Sequence, residues 1–192
     1  MSVPDRLRPA LWIVAVASLA AALLSLAFLA TAQDDAEPNV DASFAGVLWD
    51  GYANVYTEWA FEPGVPEGYY VGVEPHGMVL RTFVNDVAAE DVASGAGEFR
   101  GGAIIIKENH APTGVDLAGL ELQAPLPDFA GDLRAWTYMV KVPGFAPESG
   151  DWFWGRIAGD GSVLAGGSPE GCVACHAQVV DNDWVFNARL GD

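Results

Sequence analysis

The pentapeptide Cys172-Val173-Ala174-Cys175-His176, near the C-terminus, contains both cysteines of the chain. Two thiols at this spacing can each add to one vinyl group of a haem, and the adjacent histidine can bind the iron. The alternatives are a thioredoxin-like redox pair, half of a zinc site, or two buried cysteines. A zinc site needs four ligands, and the sequence lacks a second CxxC or an HxxxH, while a redox pair does not require His176. The pentapeptide predicts one covalent haem c, attached through Cys172 and Cys175, with His176 as the iron ligand, and the fold must leave room for it.

The N-terminal segment predicts export. Arg6 and Arg8 precede an apolar run, residues 10–32, which ends in a small-x-small triplet. This pattern is typical of a signal peptide, and the run is also long enough to span a bilayer as an uncleaved anchor. Positive residues before the run favour a cytoplasmic N-terminus and an exported domain. We therefore expect residues 1–32 to be a signal peptide or membrane anchor of a periplasmic or otherwise extracytoplasmic protein, where bacterial haem c is attached.

The remainder of the chain predicts one acidic domain. Residues 33–42 contain four acids and Pro38 and are expected to be a flexible linker. Residues 43–192 suffice for a single haem c domain. The formal net charge of −17 makes nucleic acid an implausible partner. It suits a basic redox partner, or only keeps the protein soluble; a homodimer is compatible with the sequence, which does not fix the oligomeric state.

Short segments rich in β-branched and aromatic residues, separated by glycine and proline, predict a strand-rich domain. Apolar residues at helical spacing predict a helix over residues 42–59, capped by Asp41 and ending before Pro63. A short helix is expected over residues 86–93. Strands are expected over residues 69–73, 78–85, 103–108, 133–142, 152–157 and 162–164. We therefore predict an α+β fold, mainly an antiparallel β-sheet, with an N-terminal helix and a C-terminal haem-attachment helix.

The position of the motif constrains the iron coordination. In small helical electron-carrier cytochromes the haem motif is near the N-terminus and a downstream methionine completes the coordination, whereas no Met or His follows His176. A second ligand would have to come from upstream, from His76, Met78, Lys107, His110, Met139 or Lys141. Both histidines lie beside turn-forming residues and are typical of surface turns, while the methionines lie in strand patterns typical of core packing. We therefore expect five-coordinate iron.

A series of local motifs, in a fixed order along the domain, resembles the cytochrome P-460 family, including its haem-binding relatives called cytochromes c-prime-beta. The resemblance covers nearly all of the exported domain. Besides the pentapeptide, it rests on residues 56–59, 74–77, 80–85, 97–100, 102–108, 137–141, 143–145, 150–154 and 183–186. It implies a β-rich haem c protein that handles small nitrogen compounds.

Lys107 ends the segment Ala-Ile-Ile-Ile-Lys, and strand alternation places it on the face of Ala103 and Ile105. A partly buried lysine loses hydration of its ammonium, which favours the neutral, nucleophilic amine. The resemblance implies a lysine bonded to the haem edge, as in the hydroxylamine-oxidising members, and Lys107 is the candidate. The alternative is an edge-strand lysine that snorkels to water.

Two further residues are candidates for the open side of the haem. Arg81 shares a strand face with Val79 and Phe83. The resemblance implies that Arg81 is a distal catalytic arginine, which would hydrogen-bond a nitrogen ligand, and that Phe83 lines the distal wall. The alternatives are a surface ion pair for Arg81 and ordinary core packing for Phe83.

The resemblance implies a haem-dependent oxidoreductase that oxidises hydroxylamine and passes electrons to an external acceptor. A non-catalytic protein that binds nitric oxide, as in cytochrome c-prime-beta, is the first alternative. An electron-transfer cytochrome, which would need six-coordinate iron, is the second. Arg81 favours the enzyme and Phe83 favours gas binding.

Overall fold

The computed structural model of the protein describes residues 40–72, 76, 79–129, 131–186 and 190. The predicted segments 1–32 and 33–39 lie outside them. Within the described residues, no helix is both long and apolar enough to span a membrane. The elements are α1 (Val40–Tyr52), β1 (Ala60–Phe61), β2 (Tyr70–Val71), β3 (Val79–Val84), α2 (Asp86–Ser94), β4 (Ile104–His110), β5 (Leu133–Lys141), β6 (Trp152–Ala158), β7 (Val163–Gly167) and α3 (Glu170–His176).

One antiparallel sheet contains these seven strands. The spatial order is β1-β3-β4-β5-β6-β7, and β2 pairs with β3 beside β1. Consecutive strands β3 to β7 are neighbours, as in a meander; the β3–β4 connection carries α2, and the β4–β5 connection is a long loop over residues 111–132. The sheet, the N-terminal helix α1 and the C-terminal helix α3 confirm the predicted α+β fold.

Helix α1 covers one face of the sheet, which we call the α1 face. The Tyr138 hydroxyl donates to the Ala45 carbonyl oxygen at 2.6 Å and ties the helix to β5. The core of this face is almost entirely aromatic and branched aliphatic, which makes burial of apolar area its main stabilising term. Its buried members are Ala45, Trp49, Tyr56, Phe83, Ile104, Ile106, Tyr138, Val140, Phe153 and Ile157.

Helices α2 and α3 pack on the opposite face, which we call the α3 face. Asn85 caps α2 by accepting a hydrogen bond from the Ala88 amide, and Gly95 ends it in a left-handed conformation. The apolar core beneath these helices contains Val84, Ala88, Phe99, Ala103, Ile105, Met139, Trp152, Trp154, Trp184, Val185 and Leu190. Strands β3, β4, β5 and β6 therefore divide their side chains between two separate cores.

The first helix differs from its prediction at both ends. It begins at Val40, so residues 40–42 belong to the helix instead of the expected linker, and Asp41 lies in its first turn. It ends at Tyr52 instead of Trp59, and a 3₁₀ turn follows at Tyr56–Glu58. The Tyr56 hydroxyl donates to the buried Glu108 at 2.7 Å. This hydrogen bond joins Tyr56 to β4, far away in the sequence. The helical spacing of apolar residues could not predict it, and so could not predict where the helix ends.

A small residue in β6 makes room for an aromatic ring in β5. Gly155 is the cross-strand partner of Tyr138, and a Cβ added at Gly155 would overlap the tyrosine ring. We expect Gly155→Ala to lower the free energy of unfolding by about 1–3 kcal/mol, since the ring is held by packing and by its hydrogen bond to α1. Urea denaturation of the purified protein measures this change.

Gly51→Ala is the matched control for Gly155→Ala. A Cβ at this α1 position meets no atom within 4 Å, so helix propensity alone predicts an unchanged or slightly higher stability. Equal stability of the two variants would contradict the role assigned to Gly155.

Candidate cofactor site

A cavity of about 320 Å³ lies between the α3 face of the sheet and helix α3. Strands β4, β5 and β6 form its floor, and α3 forms its wall. Its lining combines apolar side chains with thiols, imidazoles and two cationic groups. The lining residues are His76, Ile105, Lys107, Thr137, Tyr138, Met139, Trp154, Gly155, Arg156, Ala165, Pro169, Gly171, Cys172, Cys175 and His176.

Helix α3 presents the pentapeptide to this cavity. Cys172 and Cys175 are three residues apart and therefore lie on the same side of the helix. Both thiols are free and partly buried, and burial raises the pKa of Cys172 above its ordinary value. The structure thus brings together the two cysteines and the histidine that the sequence analysis selected.

His176 is buried at the end of α3 with one ring nitrogen engaged. Its Nδ1 lies 2.6 Å from the Trp184 carbonyl oxygen. A carbonyl only accepts, so Nδ1–H is the donor and the Nε2 lone pair remains for a metal ion. Burial, with the nearby Lys107 charge, lowers the pKa of His176 to about 4 against the opposing effect of the Trp184 bond. The ring is neutral at pH 7, the form that binds metals.

An unusual turn holds this carbonyl in place. Asp183 and Trp184 both have positive φ angles, 49° and 67°, a conformation that is costly for a residue as large as tryptophan. Several bonds fix the turn: Lys141 Nζ lies 2.7 Å from each Asp183 carboxylate oxygen, and Trp152 Nε1 donates to the Asp183 carbonyl at 2.8 Å. Strain of this kind persists where surrounding contacts maintain it, and here it orients His176.

The two lysines of the chain have opposite environments. Lys107 and Lys141 are both buried, with 8% and 4% exposure. Lys141 binds Asp183, and Glu98 lies 3.4 Å from it. Lys107 lines the cavity, and its side-chain amine forms neither a hydrogen bond nor an ion pair with the described residues. A buried amine without a carboxylate partner is unfavourable for stability, which points to another use for it.

His76 and His110 do not lie on the surface, where their neighbouring residues had suggested. His76 lines the cavity, and its Nδ1 lies 3.2 Å from Thr137 Oγ1. Burial, followed by repulsion from Lys107, lowers the pKa of His76 to about 3. His110 is buried on the α1 face, where its Nε2 lies 3.1 Å from Glu108. Turn chemistry is a local signal: it was wrong for His110, which is buried in β4, and His76 is half-buried at the cavity instead of exposed.

Arg81 and Phe83 do not reach the cavity, which corrects their expected distal positions. In the β3–β4 register Arg81 pairs with Glu108, and Thr82 pairs with Lys107. Directly paired residues point to the same face, so Arg81 and Phe83 lie on the α1 face. The Phe83 ring packs 5.3 Å from Tyr56, and Arg81 binds Glu108. Alternation along each strand was predicted correctly, but the pairing between strands decides which face is which.

Glu108 is the centre of a polar network that the sequence analysis did not identify. Arg81 Nε and a terminal nitrogen each donate to its carboxylate at 2.8 Å, and His110 and Tyr56 also bind it. Trp136 Nε1 in turn donates to the Tyr56 hydroxyl at 2.9 Å. The only sequence signal was a glutamate that directly follows an isoleucine run and Lys107 in the same strand. The network lies on the α1 face, away from the cavity.

The residues around the cavity fit a haem. Two thiols and an available imidazole nitrogen line one wall, and the buried Trp154 Nε1 on the floor has no hydrogen-bond partner within the described residues. No group of three or more His, Cys, Asp or Glu side chains in the part of the chain that the structure describes is arranged to hold a metal ion. Cys172 and Cys175 would hold the porphyrin, and His176 Nε2 would hold the iron. The fold and this site define a c-type haem cytochrome.

Comparison with known families agrees with this class. The family model described as Cytochrome P460 matches residues 56–187, and the chain belongs to that family. The match extends from the 3₁₀ turn at Tyr56 to the residues after α3, and so includes every strand and the whole cavity. A search of curated proteins found no match.

Proposed function

We propose that the protein is an exported mono-haem c cytochrome that oxidises hydroxylamine, or a related small nitrogen species, and passes the electrons to an external acceptor such as a basic redox protein. Membership of the Cytochrome P460 family supports the haem. The observation that carries the catalytic proposal is Lys107, a buried amine that has no hydrogen-bond or ion-pair partner among the described residues and lines the same cavity as the cysteines. Residues 1–32 support a location outside the cytoplasm.

The cysteines would attach the cofactor by addition. Each S–H adds across one vinyl C=C bond, so that sulfur bonds to one carbon and hydrogen to the other, with no net oxidation. Cys172 and Cys175 occupy positions i and i+3 of α3, which places both thiols on the cavity side. His176 is the next residue after Cys175. The Trp184 carbonyl keeps its ring oriented so that Nε2 is available to a metal ion.

Lys107 would form a further bond to the porphyrin edge. Replacing a ring C–H by a C–N bond removes two electrons and two protons, so it requires an oxidant of the peroxide class. No carboxylate of the described residues pairs with the Lys107 amine, which leaves it available, whereas Lys141 is held by Asp183. Burial in the floor of the sheet fixes the position of Lys107 relative to α3.

The oxidation of one hydroxylamine to the nitroxyl level releases two electrons and two protons. The haem supplies a ligand-binding metal that accepts and transfers electrons. The chain binds it, restricts access to a half-enclosed cavity and lines the floor with the Thr137 hydroxyl and the Lys107 amine. With Arg81 on the other face, these groups, His76 and Arg156 are the polar side chains of the cavity that a small nitrogen ligand would meet.

Lys107→Arg tests this function. Arginine keeps the positive charge but removes the primary amine, so we expect the variant to lose the lysine–haem bond, to shift its ferrous absorption spectrum and to oxidise hydroxylamine about 10–100-fold more slowly. Peptide mass spectrometry locates the bond, and turnover with a dye acceptor measures the rate.

Lys141→Arg is the matched control for Lys107→Arg. It substitutes the other buried lysine while its ion pair with Asp183 can persist, so the bond and the rate should remain. A wild-type protein in which Lys107 is unmodified contradicts the cross-link. Tight nitric oxide binding without hydroxylamine turnover would assign the protein to the gas-binding alternative instead.

A further inference from the structure

Three hydrogen-bond donors at the β6–β7 end of the cavity have no acceptor among the described residues. Trp154 is 4% exposed, and its Nε1 is buried without a partner among them. Arg156 lines the same cavity, and its guanidinium forms neither a hydrogen bond nor an ion pair with the described residues. The Ser168 hydroxyl is also buried and has no partner there. Buried donors without an acceptor are unfavourable for stability, so this group indicates an acceptor on a bound molecule.

The strand register explains why these donors lie together. Trp154 and Arg156 are two residues apart in β6 and therefore point to the same face, which is the cavity floor. Trp154 pairs with Gly167 of β7. Ser168 follows Gly167 and precedes Pro169, which also lines the cavity. The fold thus brings an indole N–H, a guanidinium and a hydroxyl to one end of the floor.

The floor consists of two rows of cross-strand neighbours with different chemistry. The first row is buried and largely apolar, and it contains Ile105, Met139 and Trp154. The second row is polar, and it contains Lys107, Thr137 and Arg156. Lys107 is buried, whereas Arg156 is exposed, so the polar row reaches water at its β6 end. Such a floor suits a flat molecule that has an apolar body and an ionised edge.

The cavity is positively charged although the protein is strongly acidic. The chain has 26 Asp and Glu against nine Lys and Arg, yet none of the described residues that line the cavity is Asp or Glu. Arg81, Arg100 and Lys141 bind carboxylates of the chain itself, whereas Arg156 binds none of the described ones. An arginine is always charged, and its planar set of donors matches a carboxylate. The expected partner of Arg156 is therefore an anion with carboxylate-like oxygens.

We propose that Arg156 and Trp154, together with Ser168, bind a propionate of the haem, and that Arg156 thereby raises the reduction potential of the iron. This inference rests on the proposed haem attachment and adds a non-covalent contact to the thioethers. A propionate carboxylate accepts hydrogen bonds from all three donors. A guanidinium beside it favours the ferrous state, because reduction adds negative charge to the iron–porphyrin unit. A free oxyanion such as nitrite has the same acceptor chemistry, and nitrite binding separates the two sources.

Arg156→Gln tests the contribution of the charge. We expect the midpoint potential of the haem to fall by about 59 mV, which is a tenfold change in the one-electron equilibrium. The propionate bending mode in the resonance Raman spectrum should also shift. Arg156→Lys keeps the charge and should recover most of the potential, but its ammonium cannot donate as a planar fork, so the mode should remain shifted. Arg134→Gln is the matched control: it removes an exposed arginine outside the cavity lining and should change neither readout.

Trp154→Phe tests the indole donor. The variant keeps a buried ring but removes the N–H, so the propionate mode should shift while the potential changes less than in Arg156→Gln. The iron–histidine stretching mode should remain, because a ring still packs beside His176, whose centroid lies 6.1 Å from that of Trp154. Trp136→Phe is the matched control, since its N–H donates to Tyr56 on the α1 face, and it should leave the propionate mode in place.

An unchanged propionate mode and an unchanged potential in Arg156→Gln overturn the proposal, and this holds even if Trp154→Phe fails to retain haem. Weaker nitrite binding to the ferric iron of Arg156→Gln, with an unchanged propionate mode, also overturns it, because the donors would then serve a free oxyanion. None of these measurements uses hydroxylamine. A protein with the expected shifts and no turnover therefore keeps the propionate site and loses only the proposed activity.

Discussion

The double variant Cys172→Ala/Cys175→Ala is expected to contain no covalently bound haem. Both thiols line the cavity from the same side of α3, and they are the only cysteines in the chain, so no other residue can form a thioether. Intact mass should fall by one haem relative to the wild-type protein, and acid–organic extraction should release any haem that remains bound through His176 alone. The effect is complete loss instead of a graded change.

The single variants and a neighbouring control sharpen this result. Cys172→Ala and Cys175→Ala should each keep one thioether, with one vinyl group unreacted and a correspondingly shifted absorption spectrum. Ala174→Ser changes an exposed residue inside the pentapeptide and should retain full attachment. Covalent haem in the double variant would contradict the proposed site.

Glu108→Gln is expected to have the largest effect on stability. The wild-type carboxylate is buried and accepts hydrogen bonds from Arg81 and Tyr56, with His110 also in contact. Removing its charge leaves the Arg81 guanidinium, itself only 28% exposed, without its partner. Removing one partner of a buried ion pair lowers the free energy of unfolding by about 3 kcal/mol. Urea denaturation at pH 7 measures the loss.

Glu98→Gln is the matched control for Glu108→Gln. Its side chain is 75% exposed, and Lys141, 3.4 Å away, also has Asp183 as a partner. Because Glu98 is exposed and Lys141 keeps its ion pair with Asp183, we expect a loss of about 0–1 kcal/mol. Equal stability losses in the two variants would show that the buried network is not the cause.

The same network predicts an acid-dependent loss of stability. Burial raises the pKa of Glu108, but the bonds from His110, Arg81 and Tyr56 outweigh it and lower that pKa from 4.5 to about 2. Because the folded-state pKa is depressed, the stabilisation is fully present above pH 4.5 and is lost as the pH falls toward 2. Glu108→Gln lacks the carboxylate that titrates. The difference in free energy of unfolding between this variant and the wild type should therefore shrink as the pH falls from 4.5 toward 2.

The sequence predicted the C-terminal helix that carries the pentapeptide, the positions of the main strands along the chain and the placement of Lys107 on the same strand face as Ile105. These follow from local chemistry and from the period of a strand. It did not predict that Arg81 pairs with Glu108 rather than with Lys107. That register depends on the packing of two whole faces, and each strand considered alone is compatible with both choices.

The environments of the three histidines show the same limit. His176 follows a motif whose spacing carries its chemistry. His76 and His110 stand among turn-forming residues, and only the folded sheet shows that one lines the cavity and the other binds Glu108. The sequence also did not predict the positive φ of Trp184. The turn that contains it is held by bonds from Lys141 and Trp152, on other strands, to the neighbouring Asp183.

Adjacent residues of β4 serve different faces of the sheet, Lys107 in the cavity and Glu108 in the polar network. Deleting or inserting one residue earlier in the strand would exchange their faces in a single step. A carboxylate would then enter the cavity, and an amine would meet the Arg81 guanidinium. In evolution, this strand can therefore accept changes of side chain one at a time, whereas a one-residue change of length within it removes the cavity lysine and the structural ion pair together.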